Sequence, residues 1–161
     1  MTPKEYNHCV DEYADGAYRF ILHNIKDHDE SNDVIQDTFE KLWIHHENVN
    51  FTKAKSYIFT TAYRTMIDKI RKKKRESKMK EHHLDILSDH HEYTGLKNIL
   101  QEGLDKLPEI QRMVIMLRDY EGYSYKEVGE ITNLNESQVK VYIYRARLFL
   151  KEFIGKIENV V

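Results

Sequence analysis

The chain has 161 residues, of which 40% are hydrophobic and 32% charged, with only 2 Pro and 6 Gly. This length suits one ordinary domain or two small helical ones, and the composition is that of a soluble chain able to bury a core. No apolar run approaches the roughly 20 residues that span a bilayer, nothing near the start has the order of a signal peptide, and the single Cys9 cannot form an internal disulfide. We therefore expect a cytoplasmic protein.

The formal net charge of −2 conceals an uneven distribution of charge along the chain. Eleven of the 25 basic residues lie between Lys53 and Lys80, where only Asp68 and Glu76 are acidic. An acidic segment precedes them and contains Asp27, Asp29, Glu30, Asp33, Asp37 and Glu40. Such segregation creates a local positive field on a chain that is nearly neutral overall. A solvated surface with unevenly placed lysines would have the same pattern.

Apolar residues at spacings of three and four predict three helices in the first half of the chain. The first begins at a capping box, Thr2-Pro3-Lys4-Glu5, with proline at the first helical position. Its buried stripe comprises Tyr6, Val10, Tyr13, Ala17, Ile21 and Ile25. The second helix spans about 30–45, with an inward face of Val34, Ile35, Phe39, Leu42 and Trp43. After a polar stretch at 46–52, the third spans about 53–78 with Ile58, Ala62, Met66 and Ile70 on its apolar face.

Residues 79–95 are polar and rich in histidine, with apolar residues only at Leu84, Ile86 and Leu87. This composition predicts a flexible linker. The histidine pairs His82-His83 and His90-His91 are poorly placed to chelate one ion, because adjacent residues point about 100° apart on a helix. No cysteine or ordered carboxylate spacing accompanies them, so we expect neither a metal site nor a cofactor.

The second half of the chain predicts four shorter helices. One spans about 96–106, and Leu107-Pro108 opens the next, which ends near a Gly122 cap. The inward face of that helix is Ile110, Met113, Val114 and Leu117. Ser124 to Glu127 forms a second capping box, for a helix ending near Thr132, and Asn135 to Gln138 forms a third, for a helix continuing to about Ile157.

The segment from Tyr125 to Arg145 predicts a helix-turn-helix. This motif needs a small residue where the two helices cross, a turn residue that tolerates positive φ, and apolar residues that hold the pair together. Gly129 supplies the small residue, and Asn133 is acceptable in the left-handed conformation. The shared core is Val128, Ile131, Leu134, Val139 and Ile143. A three-helix bundle with fortuitous caps is the alternative.

Two sets of motifs in this chain resemble those of extracytoplasmic-function sigma factors, the smallest members of the sigma-70 family. The second half matches their promoter-binding domain in Leu107-Pro108-Glu109-Ile110-Gln111-Arg112, in the run from Leu117 to Val128, and in Val139-Lys140 with Arg145-Ala146-Arg147. The first half matches their polymerase-binding helix in the run from Asp33 to Phe39 with Leu42-Trp43, and the end of their promoter-melting helix in Asp68-Lys69-Ile70-Arg71.

The sequence departs from the family pattern at several positions. Gly129 and Asn133 stand where the family more often has Ala and Gly, and Asn135 replaces a common Ser or Thr cap. Each change keeps the physical requirement, although Gly129 costs about 1 kcal/mol of helix propensity relative to alanine. Tyr63 and Arg64 differ from the residues common in the melting helix, which bears on base preference rather than on the role of the helix.

The resemblance implies an all-α fold of two small domains joined by a flexible linker, the second containing the helix-turn-helix. It places a region for polymerase binding and for minus-ten recognition and melting at 1–78, the linker at 79–95, and a minus-thirty-five region at 96–161. The expected partners are core RNA polymerase, through the clamp and flap regions, and promoter DNA. An anti-sigma factor is common in this family and is a further expected partner. No catalysis is expected.

The same resemblance assigns three sets of site residues. The polymerase-binding residues are Asp33, Gln36, Asp37, Glu40 and Trp43, although a lone Trp on an apolar stripe usually belongs to the core. The minus-ten residues are Asn48, Asn50, Thr52, Lys55, Tyr57, Tyr63, Arg64, Lys69, Arg71 and Lys72, in a loop that would hold an unstacked base and on a helix that would bind the exposed strand. The minus-thirty-five residues are Glu136, Ser137, Gln138, Lys140, Val141, Tyr144, Arg145 and Arg147.

Two other classes of protein remain alternatives. An ordinary helix-turn-helix regulator would bind operators alone as a symmetric dimer, and it leaves the acidic helix followed by a basic one unexplained. A His-rich helical metalloenzyme is the second alternative, but the chain has no HExxH motif, nucleophile motif or phosphate loop to organise catalysis.

Overall fold

The computed structural model describes residues 1–79 and 96–158, and all regular structure within these ranges is helical. The predicted linker falls almost entirely outside the described residues, as do both histidine pairs and Leu84, Ile86 and Leu87. We call residues 1–79 the N-terminal half and residues 96–158 the C-terminal half. The expectation of an all-α fold in two helical units is confirmed.

Three long helices form the N-terminal half: α1 (Pro3–Ile25), α2 (His28–Ile44) and α3 (Ala54–Met79). Helix α1 begins at the predicted capping box, in which Thr2 and Glu5 each accept a hydrogen bond from the other's backbone N–H, at 3.2 and 2.7 Å. Helix α2 begins two residues earlier than predicted because Asp27 caps it, accepting from the backbone N–H of Glu30 at 3.1 Å. Two short 3₁₀ turns, His46–Asn48 and Phe51–Lys53, lead into α3.

The core of this half lies where the three helices meet. It is made of fully or almost fully buried side chains on each helix: Cys9, Ala17, Phe20, Ile21, Val34, Leu42, Ala54, Ile58, Phe59, Ala62 and Met66. The expectation that Trp43 points inward is wrong, because its side chain is 45% exposed. The buried stripe of α2 runs through Val34, Thr38 and Leu42, which leaves the next residue turned about 100° away from the core.

Four shorter helices form the C-terminal half: α4 (Leu96–Lys106), α5 (Glu109–Ile115), α6 (Tyr125–Thr132) and α7 (Glu136–Glu158). Helix α7 packs against the other three. The sequence predicts that α5 continues to the Gly122 cap, but after Ile115 the chain widens into a π turn, Met116–Tyr120, in which the N–H of Glu121 bonds to the carbonyl of Met116 at 3.1 Å. The wider turn ends at Gly122, whose φ of 77° suits glycine.

The two halves lie against each other. Helix α3 contacts α6, and α1 contacts α5. Side chains from both halves meet in this contact, including Phe59 and Tyr123, whose rings are 5.5 Å apart in an edge-to-face arrangement. The contact determines which of the candidate site residues face solvent.

Candidate nucleic-acid and polymerase interfaces

Helices α6 and α7 form the predicted helix-turn-helix. Asn133 ends α6 with a φ of 60°, and the N–H of Leu134 bonds to the carbonyl of Gly129 at 3.0 Å. A Cβ atom on Gly129 would lie 2.6 Å from the carbonyl oxygen of Leu134, so the turn passes where a side chain would stand. The apolar residues predicted for the shared core are buried, apart from a half-buried Leu134. The small residue and the left-handed residue are therefore both required by the geometry.

The start of α7 presents a polar surface to solvent. Val139, Ile143 and Ala146 point into the core, and the exposed positions between them are Glu136, Ser137, Gln138, Lys140, Val141, Tyr144 and Arg145. Tyr144 is 68% exposed, more than the other exposed large hydrophobic residues of this helix, Val141 and Leu148. Exposed polar and aromatic groups at the N-terminal end of the second helix are what a helix in the major groove requires.

Gln138 and Lys140 each have contacts within the protein. The side chain of Gln138 accepts a hydrogen bond from the backbone N–H of Asn135 at 3.1 Å, and the side chain of Asn135 accepts one from the backbone N–H of Gln138 at 2.8 Å. These two bonds complete the third predicted capping box. The Lys140 ammonium lies 3.5 Å from the Glu136 carboxylate and 5.7 Å from the ring centre of Tyr125. The oxygen of Gln138 is therefore committed to the cap, while its NH₂ group is free of that bond.

Arg147 is held by the C-terminal half itself. Its guanidinium makes two hydrogen bonds to the Asp119 carboxylate, one of them 3.1 Å long from Nε, and this contact raises the pKa of Arg147 above its usual range. Asp119 belongs to the π turn, so the pair ties α7 to the segment before the helix-turn-helix. Arg147 thus differs from the other minus-thirty-five candidates, which are exposed and have no such bond to Asp119.

A cavity of about 490 Å³ lies in the loop between α2 and α3. It is lined by His45, Asn48, Val49, Asn50, Lys53 and Tyr57. The side-chain oxygen Oδ1 of Asn50 accepts hydrogen bonds from both the backbone N–H and the hydroxyl of Thr52, each at 3.0 Å. This arrangement leaves the Asn50 NH₂ as a donor and turns Thr52 onto the loop rather than into the cavity. The cavity lies at the loop predicted to hold an unstacked base, but the sequence did not identify His45 and Lys53 as lining residues.

The candidate residues along α3 divide into exposed and covered groups. Arg64, Arg71 and Lys72 are exposed, whereas Tyr57 and Tyr63 are half-buried, and burial raises the pKa of Tyr63. Two candidates have partners or neighbours elsewhere in the chain: Lys55 contacts the C-terminal half, and Lys69 lines a cleft.

The Lys55 ammonium donates to the carbonyl of Glu121 at 3.1 Å and lies 4.7 Å from the ring centre of Tyr123. It is therefore occupied by the C-terminal half. Lys69 lines a cleft of about 370 Å³ between the two halves, together with Glu30, Lys73 and Glu109. Lys73 bonds to the Glu30 carboxylate at 3.0 Å in this cleft.

Helix α2 carries the candidate polymerase contacts on its solvent side. Asp33, Gln36 and Glu40 are exposed and Asp37 is half-buried. At the end of the same helix Trp43 stacks on His46, with ring centres 4.5 Å apart and planes 9° from parallel, and Ile44 is 64% exposed. An exposed aromatic and aliphatic pair beside acidic groups is suited to a protein partner. Ile44 is not among the predicted site residues, although its position off the buried stripe of α2 marks it as exposed.

Within the described residues, no group of three or more His, Cys, Asp or Glu side chains is arranged to hold a metal ion. None of the helices in the same ranges is both long and apolar enough to cross a lipid bilayer.

An acidic and aromatic helix, a cavity next to a basic helix, and a helix-turn-helix are together typical of a helical DNA-binding protein that also contacts a protein partner. The family descriptions "Sigma-70 region 2" and "Sigma-70, region 4" match residues 9–76 and 97–150. The RNA polymerase sigma factor SigV of Bacillus subtilis is 32% identical over 143 residues, which cover 86% of this chain and 84% of that protein. The ECF RNA polymerase sigma factor SigM of the same organism is 30% identical over 150 residues, covering 89% and 91%.

A solved structure has the same fold: the sigma factor RpoE in complex with the anti-sigma factor NepR, from Bartonella quintana, superposes with a TM-score of 0.81 at 23% identity, covering 94% of this chain and 98% of that one. The chain belongs to the extracytoplasmic-function sigma factors of the sigma-70 family. It is an RNA polymerase sigma factor, which acts with core polymerase in promoter-specific initiation of transcription. This membership decides against the alternative of a conventional operator-binding regulator, and it places the chain in a family of regulatory proteins.

Proposed function

We propose that residues 1–78 bind core polymerase and open the minus-ten element, that residues 96–161 read the minus-thirty-five element, and that residues 79–95 connect them. The observation that carries this proposal is the cavity beside α3, whose lining includes two asparagines and a tyrosine, because opening DNA requires a place for an unstacked base next to groups that bind a single strand. We propose further that the protein is a non-catalytic subunit and acts in the cytoplasm, where core polymerase transcribes.

The proposed polymerase contact is the solvent side of α2. Asp33, Gln36, Asp37 and Glu40 recur at spacings of three and four, so they share one face of the helix. Trp43 follows on this side with 45% of its surface exposed, and it would pack against the clamp while the carboxylates meet basic groups there. Buried aromatic anchors surrounded by polar contacts carry most of the binding energy of protein interfaces.

Substitution of Asp37 tests this contact. We expect Asp37→Ala to weaken binding to core polymerase by about five- to thirtyfold, which corresponds to the loss of roughly 1–2 kcal/mol from one charged interface group. Asp11→Ala is the matched control, because Asp11 is an exposed carboxylate on α1, outside the proposed contact. Equal affinities for polymerase of the Asp37 variant and the control would remove Asp37 from the interface.

The proposed minus-ten site is the cavity together with α3. Asn48 and the NH₂ of Asn50 would hydrogen-bond an unstacked base, with Tyr57 at its side, and Thr52 would hold Asn50 in position. Along the helix, Tyr63, Arg64, Lys69 and the basic residues from Arg71 onward would bind the exposed strand by stacking and by phosphate contacts. Phosphate contacts supply affinity without sequence information, whereas base contacts in the cavity supply the preference.

The proposed minus-thirty-five site is the exposed start of α7. Ser137, Lys140, Val141 and Tyr144 would face the major groove, with the Gln138 NH₂ and Arg145 beside them and Glu136 orienting Lys140. Arg147 would reach DNA only by giving up Asp119, so we propose that it positions α7 and contributes less to affinity than Arg145 does.

An anti-sigma factor is the remaining proposed partner. The Bartonella sigma factor of the same fold was solved with one. Any protein that covers α2 or the exposed face of α3 in this chain would prevent its assembly with polymerase or promoter. A pull-down with two variants would reveal which face such a protein covers. Weaker capture by Asp37→Ala would indicate the α2 face, and weaker capture by Arg64→Ala would indicate the α3 face.

A further inference from the structure

Two aromatic rings from different segments of the chain contact Trp43 at the end of α2. Tyr6 of α1 meets the indole edge-to-face, with ring centres 5.0 Å apart and planes at 64°. The Tyr6 hydroxyl donates to the carbonyl of Phe39 at 3.0 Å, which fastens Tyr6 to α2 itself. The ring of His46 stacks on the indole, and 45% of Trp43 remains exposed. The two rings therefore restrict the orientation of an indole that is still open to a partner.

His46 is attached to Trp43 by a second contact. Its Nδ1 atom lies 2.6 Å from the carbonyl oxygen of Trp43. Because a carbonyl oxygen only accepts hydrogen bonds, Nδ1 carries a proton and donates. The imidazole thus stacks on the side chain of Trp43 and also bonds to its backbone. His46 is the first residue of the 3₁₀ turn His46–Asn48, so these two contacts attach the loop that follows α2 to the end of that helix.

The same turn carries one wall of the cavity between α2 and α3. His45, Asn48 and Val49 line the cavity, and His46 lies between them in sequence. The N–H of Val49 bonds to the carbonyl of His46 at 3.4 Å, and the amino group of Met1 bonds to the carbonyls of both residues at 3.0 and 3.2 Å. Val49 is 9% exposed and anchors the far end of the turn in the core. The position of Asn48, a proposed base contact, therefore depends on His46 on one side and on Val49 on the other.

A protein that packs on Trp43 should bind the stacked arrangement more tightly than an unstacked one. Without the ring of His46 against it, the indole would gain side-chain freedom, which the partner would have to remove on binding. A partner can shift the population of a conformation by as much as it prefers that conformation. An aromatic pair contributes only about two- to twelvefold to the population of its stacked form, so such a preference is large enough to matter. Binding at Trp43 and the order of the loop are thereby linked.

We infer that His46 is a positioning residue that couples the docking of core polymerase on Trp43 to the shape of the cavity, so that the preference for a minus-ten base sharpens when polymerase binds. This inference rests on the proposed functions of α2 and of the cavity. His46 acts through Trp43 on one side and through Asn48 on the other. Because coupling between two binding sites is reciprocal, the preferred base also strengthens the binding of polymerase by the same factor.

The test compares base preference with and without polymerase. The probes are single-stranded oligonucleotides that carry the minus-ten element of a promoter transcribed by the holoenzyme, with each position varied to all four bases. The preference at a position is the ratio of the affinities for the best and the worst base, measured for the free chain and for the holoenzyme. His46→Ala removes the ring, whereas His46→Phe keeps a ring that can stack on Trp43. Glu47→Ala is the matched control, because Glu47 is the exposed next residue of the same turn.

We expect the wild-type holoenzyme to have a higher preference than the free chain at one minus-ten position. His46→Ala should reduce the preference of the holoenzyme there by about three- to tenfold, which is the contribution of one aromatic pair. It should reduce the effect of the preferred oligonucleotide on the affinity for polymerase by the same factor. His46→Phe and Glu47→Ala should retain most of the preference.

Three results would overturn the inference. The first is a wild-type preference in the His46→Ala holoenzyme, which would exclude a role for His46. The second is a loss in His46→Phe or in Glu47→Ala equal to the loss in His46→Ala, which would exclude the stack as the link. The third is an equal reduction in the free chain and in the holoenzyme, which would indicate a purely structural role without coupling.

A second measurement reports the stack without DNA. Trp43 is the only tryptophan of the chain, so incorporation of 5-fluorotryptophan gives a single fluorine resonance. We expect this resonance to shift between the wild type and His46→Ala, and identical resonances would overturn the stack itself. A holoenzyme without preference at any minus-ten position, in the wild type and in every variant, would refute the proposed function of the cavity. A wild-type holoenzyme that prefers one base, with an equal preference in His46→Ala, would refute only the coupling, so the two failures are distinguishable.

Discussion

Asn50→Asp is the substitution that most selectively alters the proposed base pocket. An aspartate has the shape of asparagine and keeps the oxygen that accepts two hydrogen bonds from Thr52, so the loop between α2 and α3 should retain its conformation. The change replaces the NH₂ donor, which is the part of Asn50 left available to the cavity, with a negatively charged acceptor. A base that accepts a hydrogen bond from Asn50 would then meet an acceptor instead of a donor.

The size of the effect follows from the loss of one base-edge contact. A mismatched base contact costs about 1–3 kcal/mol, or roughly five- to 150-fold in relative use of the preferred base. The new charge also repels phosphate, but that repulsion weakens all promoter sequences alike, because phosphates carry no sequence information. The ratio of transcription from promoters that differ in one base therefore separates the loss of the base contact from the general repulsion of phosphate.

The assay is transcription by the reconstituted holoenzyme from a promoter library in which each minus-ten position carries all four bases. We expect Asn50→Asp to flatten or invert the preference at one position and to leave the others unchanged. Asn7→Asp on α1 is the matched control, since it adds the same charge at an exposed site of the N-terminal half. Preference ratios unchanged at every minus-ten position would refute the assignment of the cavity as the base pocket.

Three further predictions concern affinity, folding and pH. Replacing the basic residues 71–73 with alanine should weaken binding of the holoenzyme to all promoter DNA and reduce the slope of log affinity against log salt by up to about 0.9 per residue, as measured by titration at several salt concentrations. Gly129→Val should lower the free energy of unfolding by about 1–3 kcal/mol, because its side chain meets the carbonyl of Leu134, as measured by denaturant unfolding. Burial lowers the pKa of His23 in the folded protein, chiefly by desolvation. The contribution of neutral His23 to stability is therefore present above the ordinary histidine pKa and is lost as the pH falls through the lower folded pKa. We expect His23→Gln to make the free energy of unfolding less sensitive to pH between these two pKa values.

Each of these has a control within the chain. For the salt slope, alanine at the exposed Lys4 should leave it unchanged, and an unchanged slope for the 71–73 variant would remove that cluster from the interface. For the turn, Gly155→Val is the control, because a side chain at Gly155 would meet open space. An equal loss of unfolding free energy in the Gly129 and Gly155 variants would mean that the loss comes from helix propensity alone. For the histidine, identical pH dependence of wild type and variant would show that His23 titrates alike in the folded and unfolded states.

The regular elements of this protein could be predicted from local sequence signals. Capping boxes at Thr2 and Ser124 determined two helix starts correctly, because their hydrogen bonds involve residues only three apart in sequence. The helix-turn-helix could be predicted equally well, because the close approach at Gly129 and the left-handed conformation of Asn133 are requirements of local geometry. Family membership was predictable for the same reason: its motifs lie within these short segments.

Features that depend on residues distant in sequence could not be predicted. The π turn at Met116–Tyr120 has no sequence signal, because Met and Leu fit a regular helix equally well. Trp43 was expected inside, since an apolar pattern does not specify on which side of a stripe a borderline residue lies. The bonds of Lys55 to Glu121 and of Arg147 to Asp119 join residues 66 and 28 positions apart, and they commit two candidate DNA contacts to partners within the protein.

The central claim is that this chain selects promoters only together with core polymerase, and one experiment tests it directly. The purified protein is mixed with bacterial core polymerase and a genomic library, the transcribed promoters are sequenced, and core polymerase alone serves as the control. We expect transcripts that depend on the protein and start downstream of a shared motif of two blocks, one for each half of the chain. The claim would be contradicted if the protein did not associate with polymerase and bound a specific DNA site by itself.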